Sequence, residues 1–470
     1  MVWANFLHFY QPPTQKSSWV VKITAESYRK IIQLLLESPG AKLTLNVNGI
    51  LWEHWDNCGQ DDVIASLRTL VEKGQVELTG SAKYHPLLPF LPQNEVVRQI
   101  KLNEETHRKY LGDLYKPVGF FPPEMGFDVG VAKIVADLGY KWIIVDELSF
   151  PRELGMIDYS KIYTVKGLND FQIFFRERRT SWIILSGQVG TGNLLVSGLG
   201  GRLHQNEYLL TAMDGETFGH HRPGLEHLLW EIYQSHDLTT CTISQLKDKF
   251  PAREIVDPAP STWALMEKDL EKSKPFSRWK DEDNAIHRQQ WSLTELAIKT
   301  VSTANKEDPG YETARTALDR ALHSDQYWWA SARPWWSIEM IERGAKELFD
   351  AISQTPAVPE EVVIKARNIY HDLVFTAFDW QRSGMVDSLA HEDDEDIRQR
   401  TDSALPKLPK EEVEKMIVNL SKELEILAQK QEFERAAQIR DRISELRRYS
   451  SEEINSAFSS EGDSEVWSEK

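Results

Sequence analysis

The run LLTAMDGETFGHH, residues 209–221, places two carboxylates and two imidazoles directly after a short apolar segment. Asp214 and Glu216 lie two positions apart, and His220 and His221 follow them within the same run. Carboxyl and imidazole groups transfer protons near neutral pH when their surroundings adjust their pKa values. A cluster of this kind at the end of a buried segment predicts a site for acid–base chemistry.

Three more ionisable residues stand at the ends of apolar segments. His8 follows ANFL in HFYQPP, His85 follows QVELTG in SAKYHP, and Glu124 follows VGFF in PPEMGFD. If these segments are parallel strands, their carboxyl ends meet at one edge, so we expect all three residues to converge with Asp214. A histidine or turn carboxylate taken alone is more often a hydrogen-bonded structural group, so the combination is what favours a site.

Paired carboxyl groups suit the hydrolysis of a glycosidic bond. One carboxyl group protonates the leaving oxygen and the other attacks or stabilises the anomeric carbon, and Glu124 and Asp214 could supply this pair. A second reaction stays open, because histidines with an aspartate could hold a divalent metal and hydrolyse an amide or ester. The adjacent His220 and His221 argue against its simplest version, since neighbouring side chains on an extended segment point to opposite sides.

The elements that must position these residues alternate between short apolar runs and helical patterns. We predict strands at VWANFLHFY, KLTLNVN, QVELTG, PVGFF, KWIIVD, WIILSG and YLLTAMD. Several of them are separated by segments whose apolar residues recur three and four positions apart, as in an amphipathic helix. About seven such units predict a (β/α)-type barrel with catalytic groups at the carboxyl ends of its strands.

The rest of the chain lacks strand patterns and divides by composition. The predicted parts are a catalytic barrel at 1–265, a helical domain completing the active site at 266–384, an acidic linker at 385–409, an amphipathic helical hairpin at 410–449 and a disordered tail at 450–470.

Composition excludes several classes of protein. With 41% hydrophobic and 27% charged residues, and no apolar run near the ~20 residues of a membrane span, the chain is expected to be soluble, with no membrane partner. A formal charge of -17 disfavours nucleic acid as a partner of the barrel.

The N-terminal run MVWANFLHF has no basic leader, which predicts a cytoplasmic location. The two cysteines of the chain form no CxxC pair, and we expect neither a metal site nor a cofactor.

Five motifs between residues 1 and 340 resemble a known family when they are taken in order. They are HFYQPP, GQVELTGSAKYHPLLP, FFPPEMGFD, MDGETFGHH and HSDQYWWAS, which are similar to the five sequence regions of glycoside hydrolase family 57. The resemblance implies an α/β fold, an incomplete (β/α)7 barrel followed by a helical region. It also implies a retaining enzyme that acts on α-1,4-glucans, as amylases, 4-α-glucanotransferases and branching enzymes do.

The resemblance also assigns roles to individual residues. By matching motif, Glu124 is the nucleophile and Asp214 the general acid/base, which predicts carboxyl groups about 5 to 5.5 Å apart. His85 stands where many members of the family have glutamate, which bears on specificity. The residues expected to bind the glucan or maltooligosaccharide substrate are His8, His85, Glu216, His220, Asp325, Tyr327, Trp328 and Trp329.

The hairpin carries a resemblance of its own. EFERAAQIRDRISELRR, within residues 410–449, is similar to the UVR motif of bacterial excision-repair proteins, a helical hairpin that docks onto a partner's copy. This implies a protein partner or self-association through the hairpin. Because a linker separates the hairpin from a self-contained domain, we expect removal of residues 408–470 to leave activity intact.

The leading prediction is therefore a retaining α-glucan hydrolase or transglycosylase. Two alternatives remain open at this point. One is a metal-dependent carbohydrate deacetylase on a related barrel, and the other is a catalytically silent glucan-binding scaffold protein whose hairpin recruits a partner.

Overall fold

Strands buried on both faces form the centre of the N-terminal part of the molecule. The computed structural model describes residues 1–150, 154–235, 237–391 and 409–459. Most of the central strands are buried at nearly every residue, which is typical of parallel strands covered on both sides. Within the described residues the strands are β1 (Val2–Phe9), β2 (Leu43–Val47), β3 (Val76–Leu78), β4 (Gly119–Phe120), β5 (Trp142–Asp146), β6 (Ile162–Val165), β7 (Gln172–Arg176), β8 (Tyr208–Asp214), β9 (Thr239–Thr240) and β10 (Arg253–Val256).

The strands form two sheets that meet along two seams. One sheet has the order β3-β2-β1-β8 with β9 beside β1, and the other has the order β10-β6-β7-β5-β4. All ladders are parallel except that of β6 with β7. A parallel bridge between Gly80 and Phe120 joins the end of β3 to β4, and the Glu177 N–H donates to the Leu210 carbonyl across the β7–β8 seam. The predicted α/β class is confirmed, but the strand ladders do not run continuously around a closed barrel.

One strand prediction is wrong. WIILSG lies in and just after a helix, Arg178–Leu185, and the strand of this region is the preceding run QIFFR, β7. The Glu177 side chain accepts a hydrogen bond from the Thr180 N–H and so caps the helix start. A short apolar run fits a strand and a buried helix equally well, so periodicity could not separate them.

Helices cover the sheets and continue into the second half of the chain. In the described residues up to Ser383 the α-helices are α1 (Ser17–Ile23), α2 (Arg29–Glu37), α3 (Gly49–Asn57), α4 (Asp61–Glu72), α5 (Gln93–Leu111), α6 (Val129–Asp137), α7 (Arg178–Leu185), α8 (Gly192–Leu199), α9 (Glu226–Gln234), α10 (Ile243–Lys249), α11 (Glu267–Glu271), α12 (Ala285–Thr303), α13 (Tyr311–Ala321), α14 (Asp325–Trp328), α15 (Ile338–Ser353) and α16 (Glu360–Ser383). Between α1 and α2 lies a π-helical turn, Thr24–Tyr28, which we call the π-turn.

A buried ion-pair network fixes the helical domain against the first part of the chain. Arg315 of α13 pairs with Glu95 of α5 at 2.8 Å and with Asp319 at 2.9 Å, and Arg98 of α5 pairs with Asp319 at 2.7 Å. Pairing and hydrogen bonding stabilise such charges away from water, and an unpaired one would be costly. The segment that follows α13 is thereby held beside the carboxyl ends of the strands.

The C-terminal hairpin packs on the strand-bearing domain rather than standing apart. Its helices, Lys410–Gln429 and Phe433–Ser459, bury an apolar stripe in the same core as the helices around the first sheet. A Cβ added at Gly190 would lie 2.5 Å from the Met416 methyl carbon, which shows how closely the hairpin approaches the domain. The sequence predicts that the hairpin closes only a small core of its own. In the structure, its apolar residues instead belong to a core that they share with the neighbouring domain.

The predicted linker and tail coincide only partly with the described residues. Positions 385–391 are helical, and 392–408 lie outside the described residues. The second hairpin helix reaches Ser459, within the range predicted as a tail, and 460–470 lie outside the described residues. In the described part of the chain, no helix is long and apolar enough to cross a membrane.

Candidate active site

Alternation along β1 and β8 carries two predicted residues to the inner face of the sheet. On β1, Ala4 and Phe6 pack in the core shared with the second sheet, and His8 continues this side of the strand. On β8, Leu210 leads in the same way to Asp214, and His8 and Asp214 are register partners across the ladder. The strand-end argument from the sequence therefore holds for both residues.

Glu124 reaches the same place from a strained turn after β4. It lies in a 3₁₀ turn, Pro123–Met125, with φ +61°, and Met125 follows with φ +48°. Non-glycine residues rarely adopt this left-handed conformation, and two in succession indicate that the surrounding structure imposes it. The turn directs the Glu124 carboxyl group toward the indole of Trp263, whose N–H donates to Glu124 Oε2 at 2.8 Å.

His8 and His85 form a buried chain that ends beside Glu124. His8 Nδ1 lies 2.9 Å from Asn46 Oδ1, His8 Nε2 lies 3.0 Å from His85 Nε2, and His85 Nδ1 lies 3.1 Å from Ser324 Oγ. Burial lowers the pKa of His8 well below its usual range and that of His85 to about 4, so both rings are neutral. The Asn46 oxygen requires a proton on His8 Nδ1, and His85 therefore donates to His8 through Nε2.

Ser324 connects this histidine chain to the carboxylate. Its Oγ lies 3.1 Å from His85 Nδ1 and 3.2 Å from Glu124 Oε1. A hydroxyl group donates one hydrogen bond, so the Ser324 proton serves either the imidazole or the carboxylate. Ser324 comes from the helical domain, which therefore contributes directly to the surroundings of Glu124.

Asp325 forms a second acidic position beside the histidines. The Tyr10 hydroxyl donates to Asp325 Oδ2 at 2.5 Å, and His323 Nδ1 lies 3.0 Å from the same oxygen. Burial disfavours the charged forms of both Asp325 and His323. The hydrogen bond with the His323 imidazole nevertheless holds the pKa of Asp325 below its usual value. Hydrogen bonds to Asp325 and Glu347 in turn raise the pKa of His323 to about 9.

The two predicted catalytic carboxyl groups have raised pKa values. Burial, followed by the charge of Asp214, raises the pKa of Glu124 to about 8, although the Trp263 N–H opposes the shift. Burial raises the pKa of Asp214 to about 6, and the positive charge of Arg176 opposes that shift. The two groups lie close enough that ionisation of one disfavours ionisation of the other.

Trp263 is the main contact that the sequence patterns do not reveal. Besides its indole N–H, its backbone N–H donates to the Glu124 carbonyl at 3.1 Å. The guanidinium groups of Arg176 and Arg178 hold this segment by donating to the Trp263 carbonyl at 3.2 and 3.4 Å. Both arginines also pair with the buried Asp146 at 2.8 Å. Trp263 follows the last strand and belongs to no motif, so only the fold brings it to Glu124.

Residues 214–221, which we call the DGE loop, rest on the π-turn. Glu216 accepts hydrogen bonds from Gln11 Nε2 at 2.8 Å and from the Tyr28 hydroxyl, and burial raises its pKa to about 8. His220 Nδ1 lies 2.5 Å from the Glu26 carboxylate, whereas His221 is exposed. Glu216 and His220 thus both contact side chains of the N-terminal part of the chain.

The aromatic residues of the fifth motif divide between core and surface. Tyr327 is buried against Trp291, with ring centroids 4.5 Å apart, and its hydroxyl lies 2.6 Å from Thr294 Oγ1. Its surroundings are those of a core residue, and its contact with substrate stays a prediction. Trp328 and Trp329 are partly exposed, and both rings lie within 6.0 Å of Trp335. Trp328 and Trp329 follow Asp325 by three and four residues and remain candidates for stacking on a sugar ring.

The arrangement joins two protonatable carboxyl groups to a rigid set of donors. Glu124 is held by the Trp263 indole, and Asp214 stands at the end of the adjoining sheet, where the positive charge of Arg176 acts on it. Such a pair can combine nucleophilic attack with proton donation. In the described residues, no group of three or more His, Cys, Asp or Glu side chains is arranged to hold a metal ion.

Comparison with known proteins identifies two family matches. The model described as Glycosyl hydrolase family 57 matches residues 8–259, more than half of the chain, and the one described as UvrB/uvrC motif matches residues 414–449. Both resemblances drawn from the sequence are therefore confirmed. An α-amylase of Pyrococcus horikoshii is 31% identical over 150 residues, which is 31% of this chain and 23% of that protein. The aligned region thus spans about a quarter of that relative.

Solved structures with the same fold include two glucan-modifying enzymes. A 4-α-glucanotransferase from Thermococcus litoralis superimposes with a TM-score of 0.58 at 19% identity, over 75% of this chain and 58% of that one. A branching enzyme from Thermococcus kodakaraensis superimposes with a TM-score of 0.57 at 16% identity, over 78% of this chain and 94% of that one. At these identities the likeness establishes the fold.

Proposed function

The chain belongs to glycosyl hydrolase family 57, and from this premise we propose that it is a retaining hydrolase or transglycosylase of α-1,4-glucans. Glu124 is the nucleophile and Asp214 the general acid/base. The observation that carries the proposal is the placement of these two partly buried carboxyl groups, with Glu124 fixed by the Trp263 N–H and under the influence of the Asp214 charge. The similar proteins include an α-amylase and a 4-α-glucanotransferase, which supports an α-glucan as the substrate.

The first chemical step forms a covalent bond between substrate and enzyme. Glu124 attacks the anomeric carbon while Asp214 donates its proton to the glycosidic oxygen, so the C–O bond breaks and the reducing-end fragment leaves. The indole N–H of Trp263 keeps the attacking carboxylate in place, because it donates to the oxygen that does not attack. The raised pKa of Asp214 keeps a protonated fraction available near neutral pH.

In the second step, Asp214 acts as the base and Glu124 is the leaving group. Asp214, now ionised, removes a proton from water or from a sugar hydroxyl, and that oxygen attacks the anomeric carbon and releases Glu124. Water gives hydrolysis and a sugar hydroxyl gives transfer. The buried His8 and His85 hold the floor of the site, and Asp325, Trp328 and Trp329 are the proposed contacts to sugar hydroxyls and rings.

Product analysis on maltooligosaccharides tests the proposal. We expect turnover with retention, so that the first products carry the α configuration by proton NMR, and transfer would also yield chains longer than the substrate. Glu124→Gln should abolish turnover while glucan binding persists. Glu339→Gln, at a carboxylate on α15 whose side chain is 64% exposed, is the matched control and should be fully active.

Two outcomes would favour the alternatives. Reversible loss of activity with EDTA, together with an active Glu124→Gln variant, would favour a metal-dependent deacetylase. Glucan binding by the wild-type chain without turnover under any condition would favour a silent scaffold protein.

A further inference from the structure

Arg435, on the second hairpin helix, is buried between the π-turn and the DGE loop. Its side chain is 7% exposed. The guanidinium group forms an ion pair with Glu26 Oε1 and donates a hydrogen bond to the Gly219 carbonyl. Arginine suits such a position, because its fork of N–H donors can satisfy a carboxylate and a carbonyl at once. One hairpin residue therefore touches both segments that support the active site.

The π-turn holds the DGE loop through three consecutive residues. The Glu26 carboxylate lies 2.5 Å from His220 Nδ1, and Ser27 Oγ donates to the Gly215 carbonyl at 2.8 Å. The Tyr28 hydroxyl donates to Glu216. The π-helical turns of proteins occur frequently at functional sites, where the widened turn redirects side chains. Here all three side chains point at the segment that starts with the acid/base Asp214.

The loop and the π-turn are in direct contact at Gly219. This glycine has φ +101°, and a Cβ at this position would lie 2.1 Å from the Glu26 carbonyl oxygen. Only glycine fits both the backbone conformation and the close approach. The Arg435 hydrogen bond to the Gly219 carbonyl therefore acts on a point where loop and π-turn already touch.

Other polar contacts of the hairpin reach different parts of the domain, and two of them come from its first helix. Glu412 accepts a hydrogen bond from Thr191 Oγ1 at 2.6 Å, and Lys415 pairs with Glu231 at 2.9 Å. Both partners lie on the α8 and α9 side, away from the DGE loop. Among the hairpin contacts that the structure describes, Arg435 is the link to this loop.

The charge on Glu26 depends on the contacts of this cluster. Burial alone would raise its pKa, but hydrogen bonding to His220 and the Arg435 charge keep the pKa below its usual value. Removal of one partner from a buried ion pair leaves an uncompensated charge, which favours rearrangement of the neighbouring groups. The groups that would rearrange are those that hold the DGE loop.

We propose that Arg435 is a positioning residue of the active site, through which the docked hairpin fixes the π-turn and the DGE loop in the orientation that Asp214 requires. The inference rests on the proposed function. The hairpin is then part of the catalytic unit. Loss of the Arg435 contacts lowers activity without changing any group that touches substrate.

Substitutions in the full-length protein test the proposal. Arg435→Met keeps the aliphatic stem and should lower kcat/KM on maltooligosaccharides by about tenfold or more, mainly through kcat, because a displaced acid/base weakens proton donation. Arg435→Lys should restore part of the activity, since the charge opposite Glu26 returns. Arg440→Met on the same helix is the control, because Arg440 is 66% exposed and pairs with Asp441; its kcat/KM should equal that of the wild type.

Two further measurements keep the test decisive. Glu26→Gln should lower kcat/KM in the same way, and the double variant with Arg435→Met should be no worse than the poorer single variant, because both remove one contact. Hydrogen–deuterium exchange of amides 215–222 should be faster in Arg435→Met than in the wild type. If wild-type protein turns over glucan while Arg435→Met keeps wild-type kcat/KM and exchange, the proposal is wrong.

The exchange measurement also separates this inference from the proposed function. If the wild-type chain has no glucan activity, the proposed function fails, and faster exchange of the DGE loop in Arg435→Met would still support the mechanical link. Unchanged exchange in both Arg435→Met and Glu26→Gln would overturn the link whether or not the chain is active.

Discussion

At the scale of single residues, the site is defined by carboxyl groups that burial keeps partly protonated. Glu124 sits in a left-handed turn, and Asp214 is the last residue of β8, which pairs with β1 along its whole length. The pKa of each is raised, to about 8 for Glu124 and about 6 for Asp214. The proposed mechanism requires Glu124 ionised and Asp214 protonated. Because the pKa of Glu124 is the higher of the two, this form is the less populated of the two singly protonated forms, and both are populated mainly between these two values.

The pH dependence of kcat/KM follows from this pair. We expect a bell-shaped profile with limbs near pH 6 and pH 8, because the free enzyme has one proton on the pair only within that window. Below it both groups are protonated and the nucleophile is lost, and above it both are ionised and the acid is lost. A rate that stays flat from pH 5 to pH 9 would contradict the assignment.

Trp263 should tune this profile. In Trp263→Phe the N–H donor to Glu124 is lost, so the pKa of Glu124 should rise further and the alkaline limb should move to higher pH. The maximum of kcat/KM should fall, because fewer molecules hold Glu124 ionised with Asp214 protonated. Trp230→Phe, at an exposed tryptophan on α9, is the matched control and should leave both limbs unchanged. An unshifted alkaline limb in Trp263→Phe would show that the indole does not act on the titrating pair.

The sequence predicts the residues at strand ends better than the residues that hold them. His8, His85, Glu124 and Asp214 follow apolar runs, and parallel strands bring their ends together, so the motif positions and the observed cluster agree. Trp263 belongs to a segment without motif or period, and its approach to Glu124 depends on contacts with Arg176 and Arg178 that no local pattern records.

At the scale of elements, the structure departs from the sequence predictions where local patterns are ambiguous. WIILSG has the composition of a strand but follows the capping residue Glu177, and it forms a helix. The segment AESYRKIIQLLLES shows one helical period, yet its first part is the π-turn that supports the DGE loop. A single inserted residue in a helical turn leaves the periodicity of a short window almost unchanged, so the sequence gives no signal for it.

The docked hairpin argues against the sequence-based expectation that removal of residues 408–470 leaves activity intact. Its stripe residues Val413, Met416, Leu420 and Ile439 are buried in the core that they share with the barrel helices. Fully burying each such side chain contributes roughly 1.5 to 3 kcal/mol. Truncation after residue 408 should therefore lower the melting temperature of the remaining chain by about 5 °C or more and reduce glucan turnover.

Two measurements check this expectation. Differential scanning calorimetry of the full-length and truncated chains compares their stabilities, and initial rates on maltooligosaccharides compare their activities. A truncated chain with unchanged melting temperature and rate would show that the hairpin is an independent unit, as the linker composition alone suggests. A protein partner of the hairpin, or its self-association, stays a prediction. In this structure, the apolar stripe of the hairpin packs against the same chain.

At the scale of the whole molecule, three parts of the chain converge on one site. The strand-bearing part supplies Glu124 and Asp214, the helical domain supplies Ser324 and Asp325, and the hairpin supplies Arg435 behind the DGE loop. The family match ends at residue 259, before the last two contributions. The resemblance predicts the reacting groups and Asp325, whereas the structure adds Ser324 and Arg435 as the contacts that support them.

In the proposed mechanism, Glu124 is the nucleophile and Asp214 the acid/base of a retaining reaction. The most direct test is the configuration of the azide product formed by each alanine variant from an activated aryl α-glucan substrate. Azide can enter the space left by Glu124→Ala and attack the anomeric carbon itself, so this variant should yield the inverted β-glycosyl azide. Asp214→Ala should instead form the Glu124-linked intermediate, which azide then attacks, giving the retained α-glycosyl azide. A β-azide from Asp214→Ala with none from Glu124→Ala would contradict the assignment and exchange the two roles.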